Sequence, residues 1–161
     1  MKIRNPEDVQ ETFMRTLNMV KNPKPFMQMI VGTKGDKRSW TIRGSISKAF
    51  VEKKDPITGY NWAPLQASTL LSKERLYGSS KATLIASGAL FNSLMGGGGN
   101  VLVMVGNKLI YGTVFGYGGY HMTGTKWMPP RPFMGISRDQ AKRFKTLWSQ
   151  YIKQAWRGDK K

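Results

Sequence analysis

The segment that most restricts this fold lies near the C-terminus. From Ser137 onward, Ala141, Phe144, Leu147, Trp148, Tyr151, Ile152 and Ala155 recur with the period of an α-helix. Ser137 and Gln140 have the spacing of a capping box, in which each side chain bonds the other residue's backbone N–H. Gly158 stands where a helix stop is expected. At about 1.5 Å per residue the helix over residues 137–157 is about 30 Å long, the width of a small domain. Its apolar stripe is wide and aromatic, which predicts packing against a sheet. Lys142, Arg143, Lys145, Lys153 and Arg157 take the remaining faces.

The N-terminal end carries a second helix signal. Asn5 suits a cap, Pro6 the first helical position, and Glu7 and Asp8 the positive end of the dipole. Val9, Phe13, Leu17 and Val20 form one stripe, and Pro23 and Pro25 end it. The run Phe26–Val31 fits either a strand or a buried helical turn. Residues 34–38 (KGDKR) read as a basic loop. Residues 39–54 read as a helix with Trp40, Ile46, Ala49 and Phe50 inward. Asp55-Pro56 and Thr58-Gly59 form a turn pair. Ser68 is positioned to cap a short helix through Arg75. The four glycines Gly96–Gly99 read as a flexible hairpin tip or arm. Residues 101–105 and 109–115 are predicted to pair as an antiparallel hairpin around Gly106-Asn107. Tyr111, Phe115 and Tyr117 then fall on one strand face, followed by a glycine-rich loop at residues 116–119.

These elements add up to an α+β domain, an antiparallel sheet packed against an N-terminal helix and a long C-terminal helix. The 161 residues suit a single domain, with a helical part at 5–54, an irregular and sheet part at 55–136, and the last helix at 137–157.

The chain carries 26 Lys and Arg against nine Asp and Glu, a net charge of +17. Copies of such a chain repel one another unless something negative is close, so nucleic acid, an acidic protein or an anionic membrane is the expected neighbour, and charge alone does not choose among them. With no cysteine, disulfides, thiol catalysis and Cys-based zinc sites are excluded. No apolar run reaches the roughly 20 residues of a membrane helix, and the N-terminus lacks a signal-peptide core. The carboxylates sit at helix starts, in turns, or among Lys and Arg as surface pairs, and His121 is the sole histidine. That inventory gives neither an acid–base pair nor a metal set, so no catalysis and no cofactor are expected. The basic residues are spread over the segments without a recognition signature, leaving sequence-tolerant nucleic-acid binding as the alternative function.

Three spaced segments carry a resemblance. They are Asp55–Leu65 (DPITGYNWAPL), Leu84–Leu94 (LIASGALFNSL), and Val105–Ser137 with its Tyr111–Gly118 and Pro130–Ser137 runs. In this order the chain resembles the Mu-like virion morphogenesis, or tail completion, family of tailed phages. The likeness spans residues 50–145. Where that family usually has a histidine-containing stretch, this chain has Gly112 and Phe115-Gly116.

The resemblance implies a structural virion protein at the neck or upper tail, assembled in the host cytoplasm. It would be a ring of subunits, guessed as six, around the DNA path, with other neck and tail proteins as partners and no membrane. It marks Trp62, Pro64, Leu65, Gly88, Leu90, Tyr111, Phe115, Tyr117, Arg131, Pro132 and Phe133 as interface or structural residues. Lys34, Lys37, Arg38, Arg131, Lys142, Arg143 and Lys145 are the candidate contacts to channel DNA or acidic partners. Arg131, held extended between two prolines, reads equally as a cation that reaches a carboxylate or phosphate and as a surface arginine in a structural turn.

Overall fold

The computed structural model describes residues 6–78 and 82–157. Its elements are α1 (Pro6–Lys21), α2 (Lys24–Val31), α3 (Ile42–Glu52), α4 (Ala67–Tyr77), α5 (Ala89–Leu94), β1 (Asn100–Val105), β2 (Lys108–Thr113), α6 (Tyr117–Thr123) and α7 (Arg138–Arg157). The class is α+β, with an N-terminal helix, one antiparallel hairpin and a long C-terminal helix. The proposed caps at Asn5 and Gly158 lie outside the described residues.

The capping box forms as read. The Gln140 N–H donates to Ser137 Oγ at 3.2 Å, and the Ser137 N–H donates to Gln140 Oε1 at 3.0 Å. Gln140 also donates through Nε2 to the Ser39 carbonyl at 3.3 Å, tying the start of α7 to the loop before α3. The apolar stripe of α7 lies mainly on α1 and α2 rather than on the sheet. Phe26 of α2 meets Trp148 edge-on at 4.9 Å and Tyr151 at 5.8 Å. With α7 as its main neighbour, α1 is covered on one side only. Leu17 is half-buried, while Val9, Phe13 and Val20 of the expected inward stripe stay exposed.

The ambiguous run at residues 26–31 is helical. Pro23 is the N-cap of α2 and Pro25 occupies its first turn, so the prolines that end α1 also start α2. Helix α3 is shorter than residues 39–54, because Thr41 caps it by accepting the Gly44 N–H at 3.1 Å. Trp40 therefore sits before the helix, half-buried. Helix α4 starts at Ala67, not after Ser68, and runs two residues past Arg75.

The core is built from α3, α5 and the chain around Trp62 and Phe133. Ile46, Ala49, Phe50, Trp62, Leu90, Leu94, Met95 and Phe133 are all buried there. The hairpin pairs Val101 with Gly112, Val103 with Ile110 and Val105 with Lys108, closed by Gly106-Asn107 as expected. Gly106 takes the positive φ that this two-residue loop needs.

Two glycine readings change. Gly96–Gly99 is a packed turn, not a flexible arm. The Gly97 N–H donates to the Asn92 carbonyl at 2.8 Å, and the Val114 N–H to the Gly99 carbonyl at 2.9 Å. Gly96 and Gly99 hold φ of 92° and 80°, and a Cβ on Gly99 would lie 3.0 Å from Val114. The segment at 116–119 begins helix α6 rather than a loop. Gly118 is buried where a Cβ would touch Leu90 and Phe133 at 3.4 and 3.6 Å, so the small residue lets the helix settle on the core.

Asp36 is also corrected. It is buried, not a surface pair, and it accepts from Arg38 Nε at 3.0 Å and Nη2 at 2.6 Å. The Arg38 side-chain bond holds the Asp36 pKa down at about 2, against an ordinary 3.8. A depressed carboxylate pKa stabilises the fold above the unfolded value, and that contribution is lost as pH falls through the folded one. The shift corresponds to at most about 2 kcal/mol, reduced toward about 1 because the Arg38 side chain is half-exposed. Asp36→Asn is expected to lower urea stability by that amount at pH 7. The gap between the two proteins should close between pH 4 and pH 2.

Candidate interaction site

The residues marked by the three sequence segments converge in space. Trp62 donates through Nε1 to the Pro132 carbonyl at 2.7 Å and meets the ring of Phe50 edge-on at 5.8 Å. Phe133, beside Pro132, packs on the same Phe50 at 5.7 Å. Arg131 lies 4 % exposed, and its Nε and Nη2 donate to the Ala63 and Pro64 carbonyls at 2.9 Å each. Its own N–H donates to the His121 carbonyl at 2.7 Å. Residues 62–64 and 131–133 are thereby clamped across nearly seventy residues of chain.

This placement corrects the reading of Arg131 as an outward-reaching cation. Two of its guanidinium nitrogens are committed to backbone carbonyls, because the 62–64 segment brings acceptors that local sequence does not reveal. Tyr111, Phe115 and Tyr117 do not share a strand face, because β2 ends at Thr113. Tyr111 points to the core, donating to the Leu94 carbonyl and accepting from Arg43 Nε at 3.2 Å. Phe115 and Tyr117 lie beyond the strand and stack on each other at 5.5 Å. Gly88 holds φ of 81° as the N-cap of α5.

Pro64, Leu65, Gly88, Leu90, Tyr117 and Arg131 line one groove of about 810 Å³ between α4, the 84–90 segment and α6. Sequence reasoning missed Lys73, which also lines it. Lys73 is the buried residue of α4, with Nζ donating to the Ala82 carbonyl at 2.5 Å, whereas Leu70, Leu71 and Leu76 stay exposed. An amphipathic reading of α4 would have placed its leucines inward, so no sequence signal marked this lysine. Burial holds its pKa below the ordinary lysine value. His121 lies in the same groove, its Nδ1 buried without a hydrogen-bond partner among the described residues. Burial, and secondarily the charge of Arg131, hold the imidazole below its ordinary pKa, so it is neutral at pH 7.

A second surface gathers the other candidate cations. Arg38 stands over the Trp40 ring at 4.8 Å and Arg143 of α7 approaches the same ring at 6.0 Å. The loop carrying Lys34, Lys37 and Arg38 thus lies beside the first turns of α7 with Lys142, Arg143 and Lys145, all exposed.

The third surface is nearly free of charge, which corrects the reading that cations occupy every segment. From residue 82 to residue 125 the only charged side chain is Lys108. Val103, Val105 and Ile110 project from the outward side of the hairpin, 42 %, 66 % and 56 % exposed. The outward face of an antiparallel pair is ordinarily polar. Among the described residues 21 large apolar side chains are exposed, against 11 buried hydrophobic residues.

Among the described residues no three His, Asp or Glu side chains gather as a metal site, and no helix is long and apolar enough to cross a membrane. The polar interior is used to lock distant segments together, and apolar side chains are displayed outside. These features define a small α+β protein whose long-range polar contacts join distant segments. The chain belongs to the phage virion morphogenesis family, whose model matches residues 5–153. It is also similar to the Mu-like prophage FluMu G protein 1 of Haemophilus influenzae, at 35 % identity over 46 residues. That match covers 29 % of this chain and 32 % of the relative, so the chain spans about a third of the length of the curated relative it matches. No solved structure matches the chain.

Proposed function

We propose that this protein is a tail-completion or neck component of a tailed phage, without catalytic activity. In this reading it assembles as a homo-oligomeric ring, taken as sixfold, that helps join tail to head around the DNA path. Membership of a virion morphogenesis family supports the assembly role. The observation that carries the ring is the separation of charge from apolar exposure. Copies bearing +17 each can approach only where charge is sparse, and the outward hairpin face combines sparse charge with exposed Val103, Val105 and Ile110. The basic face around Trp40 is then left for DNA or for acidic neighbouring subunits. Other neck and tail proteins are the expected partners, in the virion after assembly in the host cytoplasm.

Ile110→Glu tests the ring. Position 110 is more than half-exposed, so the monomer should keep its helical content and melt within about 2 °C of the parent, as surface changes usually do. Native mass spectrometry of the parent with its virion partners should show a ring, and the variant should remain monomeric. A variant ring of unchanged mass would move the contact elsewhere. Particles made without the protein test the wider role: DNA-filled heads and unattached tails are expected, and normally joined particles would reject it. The alternative, a sequence-tolerant nucleic-acid binder, draws on the same +17 charge. It would show tight duplex binding by the monomer with a steep salt dependence.

A further inference from the structure

The groove between α4 and α6 has a composition that its place in the clamp does not explain. Its walls are largely apolar, with Leu65, Leu84, Ile85 and Leu90, and Trp127 at its rim is 82 % exposed. Two cations, Lys73 and Arg131, are set into these walls, and no Asp or Glu among the described residues lines the groove. Among the described residues neither cation has a carboxylate partner. Lys73 Nζ makes one bond, to Ala82, and Arg131 Nη1 makes none with the described residues. His121, whose buried Nδ1 has no hydrogen-bond partner among the described residues, lines the same groove. Buried charges are ordinarily paired, because removing them from water without a counter-ion is costly.

We propose that the groove is a docking site for an apolar segment of a different protein that carries one carboxylate. The apolar side chains of that segment would cover the leucines and the Trp127 ring. Its Asp or Glu would supply the missing counter-ion to Lys73 and Arg131, a charge-assisted contact strengthened by the low-dielectric walls. Charge favours a foreign partner over a second copy, because this chain has nine acidic residues against 26 basic ones. The groove is a different surface from the outward hairpin face, so the inference does not rest on the ring.

The probes are two capped peptides, acetyl-Leu-Leu-Glu-Leu-Leu-amide and its Gln counterpart, titrated into the full chain by calorimetry and followed by tryptophan emission, with the Trp127 contribution taken as the difference from Trp127→Ala. The Glu peptide is expected to bind saturably and about tenfold more tightly than the Gln peptide. Lys73→Met, which leaves Arg131 as the one cation, should reduce that preference by half or more. Trp127→Ala, at a position too exposed to matter for folding, should weaken both peptides equally. Equal affinities for the two peptides, or no saturable binding by either, would overturn the proposal. So would quenching of Trp127 by self-association alone, which would assign the groove to a second copy.

Discussion

Phe133→Ala is expected to destabilise the protein by about 4 kcal/mol, the middle of the range for emptying a buried aromatic site. In a chain of this length that lowers the melting temperature by about 8–16 °C. The ring of Phe133 is 1 % exposed and packs on Phe50 at 5.7 Å, with Gly118 of α6 against it. Its backbone N–H also points to Met122 Sδ at 3.3 Å. The loss reaches beyond the cavity, because the adjacent Pro132 carbonyl holds the indole of Trp62 and the adjacent Arg131 holds residues 63 and 64. Urea unfolding followed by tryptophan emission checks both parts, a lower midpoint and a red shift of the Trp62 contribution. Phe133→Leu, which retains most of the volume, should cost less than half as much. Equal stability of the alanine variant and the parent would mean that this clamp does not organise the core.

Gly44→Ala is expected to destabilise the protein by about 2–3 kcal/mol, although alanine exceeds glycine in helix propensity by about 1 kcal/mol. Gly44 lies in the first turn of α3 and is buried. A Cβ there would stand 2.6 Å from the Arg38 carbonyl carbon and 2.9 Å from Thr41 Oγ1. The Thr41 hydroxyl cannot retreat freely, because it donates to the Arg38 carbonyl and accepts the Gly44 N–H. Relief would require moving the 38–41 backbone, with the Asp36–Arg38 pair and the Trp40 face attached. Gly116→Ala is the control, since a Cβ there meets nothing within 4 Å. Thermal melts of the two variants should separate by several degrees. A stabilised Gly44→Ala protein would show that the 38–41 loop is slack.

The comparison of these glycines shows what was legible in the chain. Gly106 announced a hairpin loop through its local setting, and Ser137 with Gln140 announced a helix start. Gly44 gave no warning, because what forbids a side chain there is a carbonyl brought in by the loop before the helix. Gly118 misled in the opposite direction. A glycine cluster reads as loop, yet contact with Leu90 and Phe133 makes a helix of it.

The amino-acid sequence alone determined the elements whose signals are local: the hairpin, the last helix with its cap, and the absence of cysteine chemistry. It also fixed the excess of positive charge, which bounds the choice of neighbours. Only the tertiary structure decided which face of each element is covered. It turned Arg131 inward to carbonyls 67 and 68 residues away, buried Lys73 while leaving the leucines of α4 outside, and set the charge-poor side of the hairpin toward solvent. The reason is that periodicity and capping act within a few residues. Burial and charge compensation depend on groups that meet only after the chain has closed on itself.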